Sequence, residues 1–257
     1  MNDKELLELL KNKSITEILG SKILDEDLFY SLSPDRGNVL SCIDFDSSDD
    51  VLEYSYKCYS MTLSYIDKVR SVTKITENSD IENVIYGQRV RSIKSIDNKK
   101  YSKIILNGVL DYLEEDEAAS LIEDMKNHLE KDGSLIITLT NKYSIKLLSG
   151  TKQYGEDEYF TSLTSRKMFS KTKISNLLNS LSLEHSFYYP LPGYLITSEI
   201  FSDDYLPEAN SIRNIKDSFI GKRYVVFDDD IALSQALADG NFELFTPAYL
   251  IAASIKE

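Results

Sequence analysis

A chain of 257 residues with 42% hydrophobic and 28% charged side chains has material for one substantial core and an ordinary globular balance. Its net charge of -13 argues against nucleic acid or an anionic membrane surface as main partner, since both require clustered Lys and Arg. No apolar run approaches the roughly 20 residues of a membrane span, so no membrane insertion is expected. The polar start Met1-Asn2-Asp3-Lys4-Glu5 is unlike a signal peptide. With only Cys42 and Cys58 and no CxxC, a reduced, cytoplasmic protein is the simplest expectation.

In chain order, residues 4–32 read as one or two amphipathic helices. Leu6, Leu7, Leu9 and Leu10, then Ile15, Ile18 and Leu19, recur near helical spacing, and Gly20 stops the first part. Ser33 as N-cap and Pro34 at the first helical position begin a further short helix. A strand is predicted at 50–54, a helix over 61–69, a second strand over 71–75 and a third near 83–86. The short, β-branched run 101–108 reads as a buried strand. Residues 114–129 read as a helix with Leu121, Ile122, Met125 and Leu129 on one face. Lys131-Asp132-Gly133 reads as a turn and 134–139 as another buried strand. A helix over 171–181 and a strand over 184–189 follow. Residues 190–228 carry three of the five prolines and no clear period, and read as an insertion. A helix over 231–237 and a final strand over 248–255 close the chain. This alternation implies an α/β protein with a mostly parallel sheet and helices on both faces. It divides into an N-terminal helical segment, 1–48, packed on an α/β domain, 49–257.

Several segments, in sequential order, carry a resemblance. Residues 101–108 with Val109-Leu110-Asp111-Tyr112 resemble the fourth strand and following loop of class I S-adenosylmethionine (SAM) methyltransferases. Leu129-Glu130-Lys131-Asp132-Gly133-Ser134-Leu135-Ile136-Ile137 is similar to their helix–turn–strand "LKPGGKLII". More narrowly, the chain resembles a bacterial group associated with cell-surface glycan synthesis. The matching residues are Leu32-Ser33-Pro34-Asp35-Arg36, Asn141-Lys142 through Lys146 to Gly150, and Phe187-Tyr188-Tyr189-Pro190-Leu191-Pro192 continuing to Ser202-Asp203-Asp204-Tyr205-Leu206-Pro207. The resemblance covers roughly residues 30–255. It implies a Rossmann-like class I methyltransferase fold with a seven-stranded sheet, N-terminal helices and an insertion at about 190–228 before the last strand.

The resemblance also places a cofactor site. In the family the first strand ends in Asp or Glu followed by a G-x-G-x-G turn, whose glycines let the backbone pass against SAM. Glu53 keeps the acid, but the glycine positions carry Ser55, Lys57 and Tyr59. Tyr56, Lys57 and Tyr59 bring bulk to the place of the methionine portion and ribose. At the end of the second strand Thr76 stands where an acid would receive the ribose hydroxyls, with Glu77 one residue late. Asn107 and Gly108 fall on the adenine side. Asp111, Tyr112, Asn141 and Tyr189 fall on the methyl-acceptor side.

Bland alternatives stay open beside each role. Glu53 also suits a helix cap or a solvated position, Gly108 a strand-to-helix turn, and Tyr112 or Tyr188, Tyr189, Tyr194 and Tyr205 ordinary packing. The subgroup's Glu-Asn-Arg is here Thr140-Asn141-Lys142, and its Glu-Asp-His is Glu156-Asp157-Glu158, which removes a general base. No residue is assigned a catalytic role. The histidines His128 and His185 and the acidic runs at 44–50 and 228–230 imply no metal site.

Three functional readings compete, and whether the chain is an enzyme is open at this level. In the first, SAM binding is impaired or lost, and the chain is a partner or regulatory subunit in surface-glycan modification, with a protein partner or as a homodimer. In the second, it is an active methyltransferase with SAM as cofactor and a sugar or small-molecule hydroxyl as acceptor; displacement chemistry relies on alignment rather than on a base. In the third, ranked last, it is another nucleotide- or sugar-binding Rossmann-like protein, although it has no Walker A loop and no G-x-G-x-x-G.

Overall fold

The computed structural model describes residues 2–22, 24–208, 211–212 and 223–256. Three short helices open the chain: α1 (Asp3–Asn12), α2 (Ile15–Leu19) and α3 (Glu26–Leu32). Asn2 with Glu5, and Ser14 with Glu17, form capping boxes that satisfy the first free amides of α1 and α2. Ser33 caps a 3-10 helix over Pro34–Leu40, with the proline at its start.

The strands are β1 (Asp50–Ser55), β2 (Ser71–Ile75), β3 (Val90–Ile93), β4 (Tyr101–Asn107), β5 (Leu129–Thr140), β6 (Leu183–Leu191), β7 (Glu199–Ser202) and β8 (Ala248–Ile255). The longer helices among them are α4 (Ser79–Tyr86), α5 (Glu115–Asn127), α7 (Lys171–Ser180) and α8 (Asp229–Ala238); α6 (Ile145–Ser149) and α9 (Phe242–Phe245) are short. One sheet has the order β3-β2-β1-β4-β5-β8-β6-β7. The first five strands pair in parallel, β8 runs antiparallel between β5 and β6, and β7 adds an antiparallel margin to β6.

Period-two alternation in continuous apolar strands fills both faces. Ile104 and Ile137 face a core with Ile122 and Met125 of α5, Ile174 and Leu178 of α7, and Leu233 of α8. Their neighbours Ile105 and Ile136 face the opposite core, with Val39, Met61, Tyr65 and Tyr86. Each such buried side chain contributes about 1.5–3 kcal/mol. The N-terminal helices gather Leu6, Leu10, Ile18, Leu28 and Leu32 around Tyr59 and Ile81.

The α/β Rossmann-like architecture agrees with the sequence, with four differences. Among the described residues the sheet has eight strands rather than seven, because the stretch read as an insertion folds back as β7 on β6; residues 209–210 and 213–222 of that stretch lie outside the described residues. Residues 61–69 form only a 3-10 turn over Met61–Ser64. The third strand is Val90–Ile93, while 83–86 belong to α4, which buries Ile81, Glu82 and Tyr86. Residues 131–133 are not a separate turn but an excursion within β5. Tyr101 pairs with Leu129 and Lys103 with Ser134, so β5 carries the extra residues.

Candidate functional site

The carboxyl ends of β1, β2, β4 and β5 meet in one polar network centred on Glu53. Glu53 is fully buried. It accepts from the hydroxyls of Ser55 (2.8 Å), Thr62 (2.7 Å) and Tyr65, and pairs with the Lys74 ammonium at 3.2 Å. Parallel register sets Glu53 beside Lys74 on one face of the sheet. Lys74 is also buried, lies 3.2 Å from Glu82 on α4 and donates to the Cys58 carbonyl at 3.4 Å. Burial is the largest single influence on both Glu53 and Lys74 and opposes their charge. It is outweighed by their mutual attraction together with the hydroxyls of Tyr65, Thr62 and Ser55 on Glu53 and with Tyr86 and Glu82 near Lys74. The Glu53 carboxyl is held below its ordinary value and the Lys74 ammonium well above its own. Glu82 has less help: burial pushes it up to about 7, and Lys74 offsets only part of this. The network continues across the sheet through Asn107, which donates to Ser55 at 3.4 Å and accepts from Thr138 at 2.7 Å.

The loop after β1 is pinned on all sides. The Tyr56 amide donates to the Asn107 carbonyl at 2.9 Å and the Tyr59 amide to the Ser31 carbonyl at 2.9 Å. The Tyr59 carbonyl accepts from the Tyr86 hydroxyl, and the Ser60 hydroxyl donates to the Ser33 carbonyl at 2.6 Å. Of the three positions where glycines were expected, only Lys57 adopts a left-handed backbone, with φ 41°. Its side chain is exposed, with the ammonium 5.5 Å from the Tyr56 ring centre. Tyr59 turns away to the N-terminal helices and accepts from Asn78 at 3.1 Å. Tyr56 instead stacks on Tyr112, with ring centres 3.7 Å apart and planes 25° apart. The Tyr112 hydroxyl donates to the Tyr154 carbonyl, and the Tyr154 ring stands edge-on to Tyr56 at 6.4 Å. Gly155, at φ 81°, makes room: a Cβ there would lie 3.0 Å from the Tyr56 hydroxyl.

Asp111 is buried after β4. It accepts from the Thr140 amide (2.8 Å), the Thr140 hydroxyl (2.6 Å) and the Tyr194 hydroxyl (3.1 Å). Burial still outweighs these donors and raises its carboxyl to about 7. Gly108, at φ 68°, admits Tyr194; a Cβ at 108 would lie 2.5 Å from that hydroxyl. Beside Tyr194 and Thr140 opens a cavity of ≈ 80 Å³.

Glu53, Ser55, Asn107, Gly108, Asp111 and Tyr112 thus come together. Glu77 does not; it is exposed near α1. Asn141 is buried and donates to the carbonyls of Leu244 (2.7 Å) and Thr246 (2.8 Å), tying the chain after β5 to α9. Tyr189 lies in the core that holds Ile104 and Ile137, its hydroxyl bonded to Asp203 and accepting from Lys171 at 2.7 Å. Lys74, Glu82, Thr62 and Tyr65 escaped the sequence reading. The available signal was a lysine in an otherwise apolar and β-branched strand beside one ending in an acid.

Comparison with solved structures settles the fold. A SAM-dependent methyltransferase from Clostridium acetobutylicum ATCC 824 superposes with TM-score 0.52 over 100% of both chains, at 11% identity. The CcbJ methyltransferase from Streptomyces caelestis gives 0.53 over 91% of this chain and 94% of its own, at 11%. The TehB-like SAM-dependent methyltransferase from Corynebacterium glutamicum ATCC 13032 Kitasato gives 0.50 over 99% and 98%, at 10%. The fold is that of the class I SAM-dependent methyltransferases. No protein-family profile and no curated protein sequence matches the chain.

Proposed function

We propose that this methyltransferase-fold chain has lost SAM binding and serves as a partner or regulatory subunit, in the surface-glycan setting its resemblance implies. One observation carries the reading: Glu53, the acid expected to serve the cofactor, is committed to the protein itself. Three hydroxyls and the Lys74 ammonium take its acceptor sites, and no part of it is exposed. SAM would have to displace a buried cation and leave Glu82 facing Glu53 without it, a loss of several kcal/mol. The Tyr56–Tyr112 stack adds to the argument, because its rings lie where the loop should leave room for the methionine portion. The residues therefore do not fit SAM. An exposed apolar run supports a protein partner: Tyr224 is 59%, Val225 76% and Val226 61% exposed, and Tyr224 packs edge-on against Tyr159 at 4.8 Å.

The alternative, an active methyltransferase on a sugar or small-molecule hydroxyl with an atypical loop, has one observation in its favour. Asp111, titrating near 7, is bonded to the Tyr194 hydroxyl in the wall of a cavity. It requires Tyr56 to leave Tyr112. Calorimetric titration with SAM and S-adenosylhomocysteine decides between the two. The expected result is no binding at millimolar ligand; micromolar binding overturns the proposal.

A further inference from the structure

The cavity beside Tyr194 has a composition that the acidity of the chain does not predict. The protein carries a net charge of -13, yet two lysines, Lys146 and Lys152, line this one ≈ 80 Å³ space. Lys146 is only 5% exposed; its ammonium reaches the Pro192 carbonyl at 3.4 Å, and the residue is engaged by a further partner as well. Lys152 is half-buried, its ammonium 4.7 Å from the Tyr159 ring centre. Among the described residues that line it there is one carboxylate, the exposed and engaged Glu26.

A third cation stands behind the wall. Arg36 is fully buried and donates through Nη1 to the carbonyl of Tyr30, a wall residue, at 3.0 Å. Its Nε and Nη2 have no hydrogen-bond partner among the described residues, and its guanidinium lies 5.9 Å from the Tyr194 ring centre. A guanidinium keeps its proton at any physiological pH, so this charge is permanent. The buried Thr151 hydroxyl, in the cavity lining, also lacks a hydrogen-bond partner among the described residues. So does the Tyr154 hydroxyl, which lies near Ser31 without forming a well-aligned bond. Buried polar groups are ordinarily satisfied, so orphans in and behind this wall point to a missing acceptor.

The walls set the size and kind of ligand. Tyr30 and Tyr154 meet edge-on at 5.2 Å and, with Tyr194, give aromatic surface beside the hydroxyls of Thr140 and Ser144. Tyr154 also separates this space from the Tyr56–Tyr112 stack. The volume suits a group of a few heavy atoms.

We infer that this cavity binds a small molecule through an oxyanion, either a phosphate or a carboxylate, held by Lys146 and Lys152 with Arg36 supplying field from behind. Binding here is independent of whether SAM binds beyond Tyr154.

The test is an NMR titration of amide resonances in the whole chain. Inorganic phosphate and acetate are added in separate arms at constant ionic strength, with chloride as control. Saturable shifts in the millimolar range at residues 151–154 and Gly193 are expected in one arm, and the arm that saturates names the oxyanion. Lys152→Met should weaken binding about tenfold, the scale of a lost charge-assisted hydrogen bond, while Lys11→Met on exposed α1 should not change it. Lys146→Met should weaken it further. Should that buried substitution prevent folding, Lys152→Met carries the test. Shifts that stay linear to tens of millimolar, that chloride reproduces, or that Lys152→Met leaves unchanged overturn the assignment.

Discussion

Replacing Lys74 with Met leaves Glu53 and Glu82 as buried carboxylates without their cation. Methionine fits the volume, so the loss is electrostatic rather than a cavity. Removing one partner of a buried ion pair costs about 3–5 kcal/mol, because the remaining charge is left uncompensated. Here one ammonium serves two carboxylates, at 3.2 Å each, which puts the expectation at the upper end of that range. Against a total stability of about 5–15 kcal/mol for a domain, this is a large fraction. Urea denaturation followed by far-ultraviolet circular dichroism measures it, since the chain has no tryptophan for fluorescence. The sign with pH is also fixed. Without Lys74 both carboxyls rise above their unfolded value of 4.5 in the folded state, so the stability of the variant falls as pH rises through the raised values. The deficit should be largest near pH 8 and shrink towards pH 5. Adding Glu53→Gln and Glu82→Gln should recover most of the loss, because a neutralised triad has no orphaned charge. A Lys74→Met deficit below about 1 kcal/mol, or one that grows on acidification, would refute this account of the network.

Other substitutions probe separate parts of the structure. Glu82, pushed up to about 7 by burial, contributes stability that is complete below 4.5 and lost as pH rises through 7, on the order of 3 kcal/mol. Glu82→Gln should therefore match the wild type near pH 5, exceed it near pH 8, and flatten the profile between them in urea melts. Lys57→Gly should stabilise the chain by up to about 1 kcal/mol by relieving the left-handed residue at φ 41°, read as a rise in melting temperature. Asn141→Ala leaves the carbonyls of Leu244 and Thr246 without their donor and should cost about 2–4 kcal/mol in denaturant titration, without changing any SAM affinity.

The legible parts of the fold were those where apolar content and length left one option. The apolar runs Ile104-Ile105-Leu106 in β4, Leu135-Ile136-Ile137 in β5 and Tyr249-Leu250-Ile251 in β8 are short and buried on both faces. The failures have physical causes. Met61, Tyr65 and Ile66 repeat at near-helical spacing and are all buried, but they pack from a 3-10 turn and irregular backbone that lets the Tyr65 hydroxyl reach Glu53. Val84, Ile85 and Tyr86 look like a strand in isolation, yet the helix that contains them also buries Glu82 towards Lys74. Gly133 suggested a turn because a glycine was plainly required. It sits instead where an added Cβ would be 3.0 Å from the Ser102 carbonyl inside a bulged strand. At the site, the acid at 53 was readable but its employment was not. A lysine in a strand ordinarily faces water, and only the β1–β2 register reveals that Lys74 faces Glu53.

The two margins of the sheet, β3 and β7, are each four residues long. An open sheet margin offers unpaired amides and carbonyls to any neighbouring chain, and long flat margins seed aggregation. Four residues expose a row of only about 13 Å. On β3 the row carries Arg91, whose guanidinium is tied to Asp97 at 2.5 Å and to the Tyr101 hydroxyl at 3.1 Å. A charged, abbreviated margin is a poor template for strand addition. When this protein is concentrated, any self-association should therefore proceed through side-chain surfaces rather than by extending the sheet from one molecule into the next.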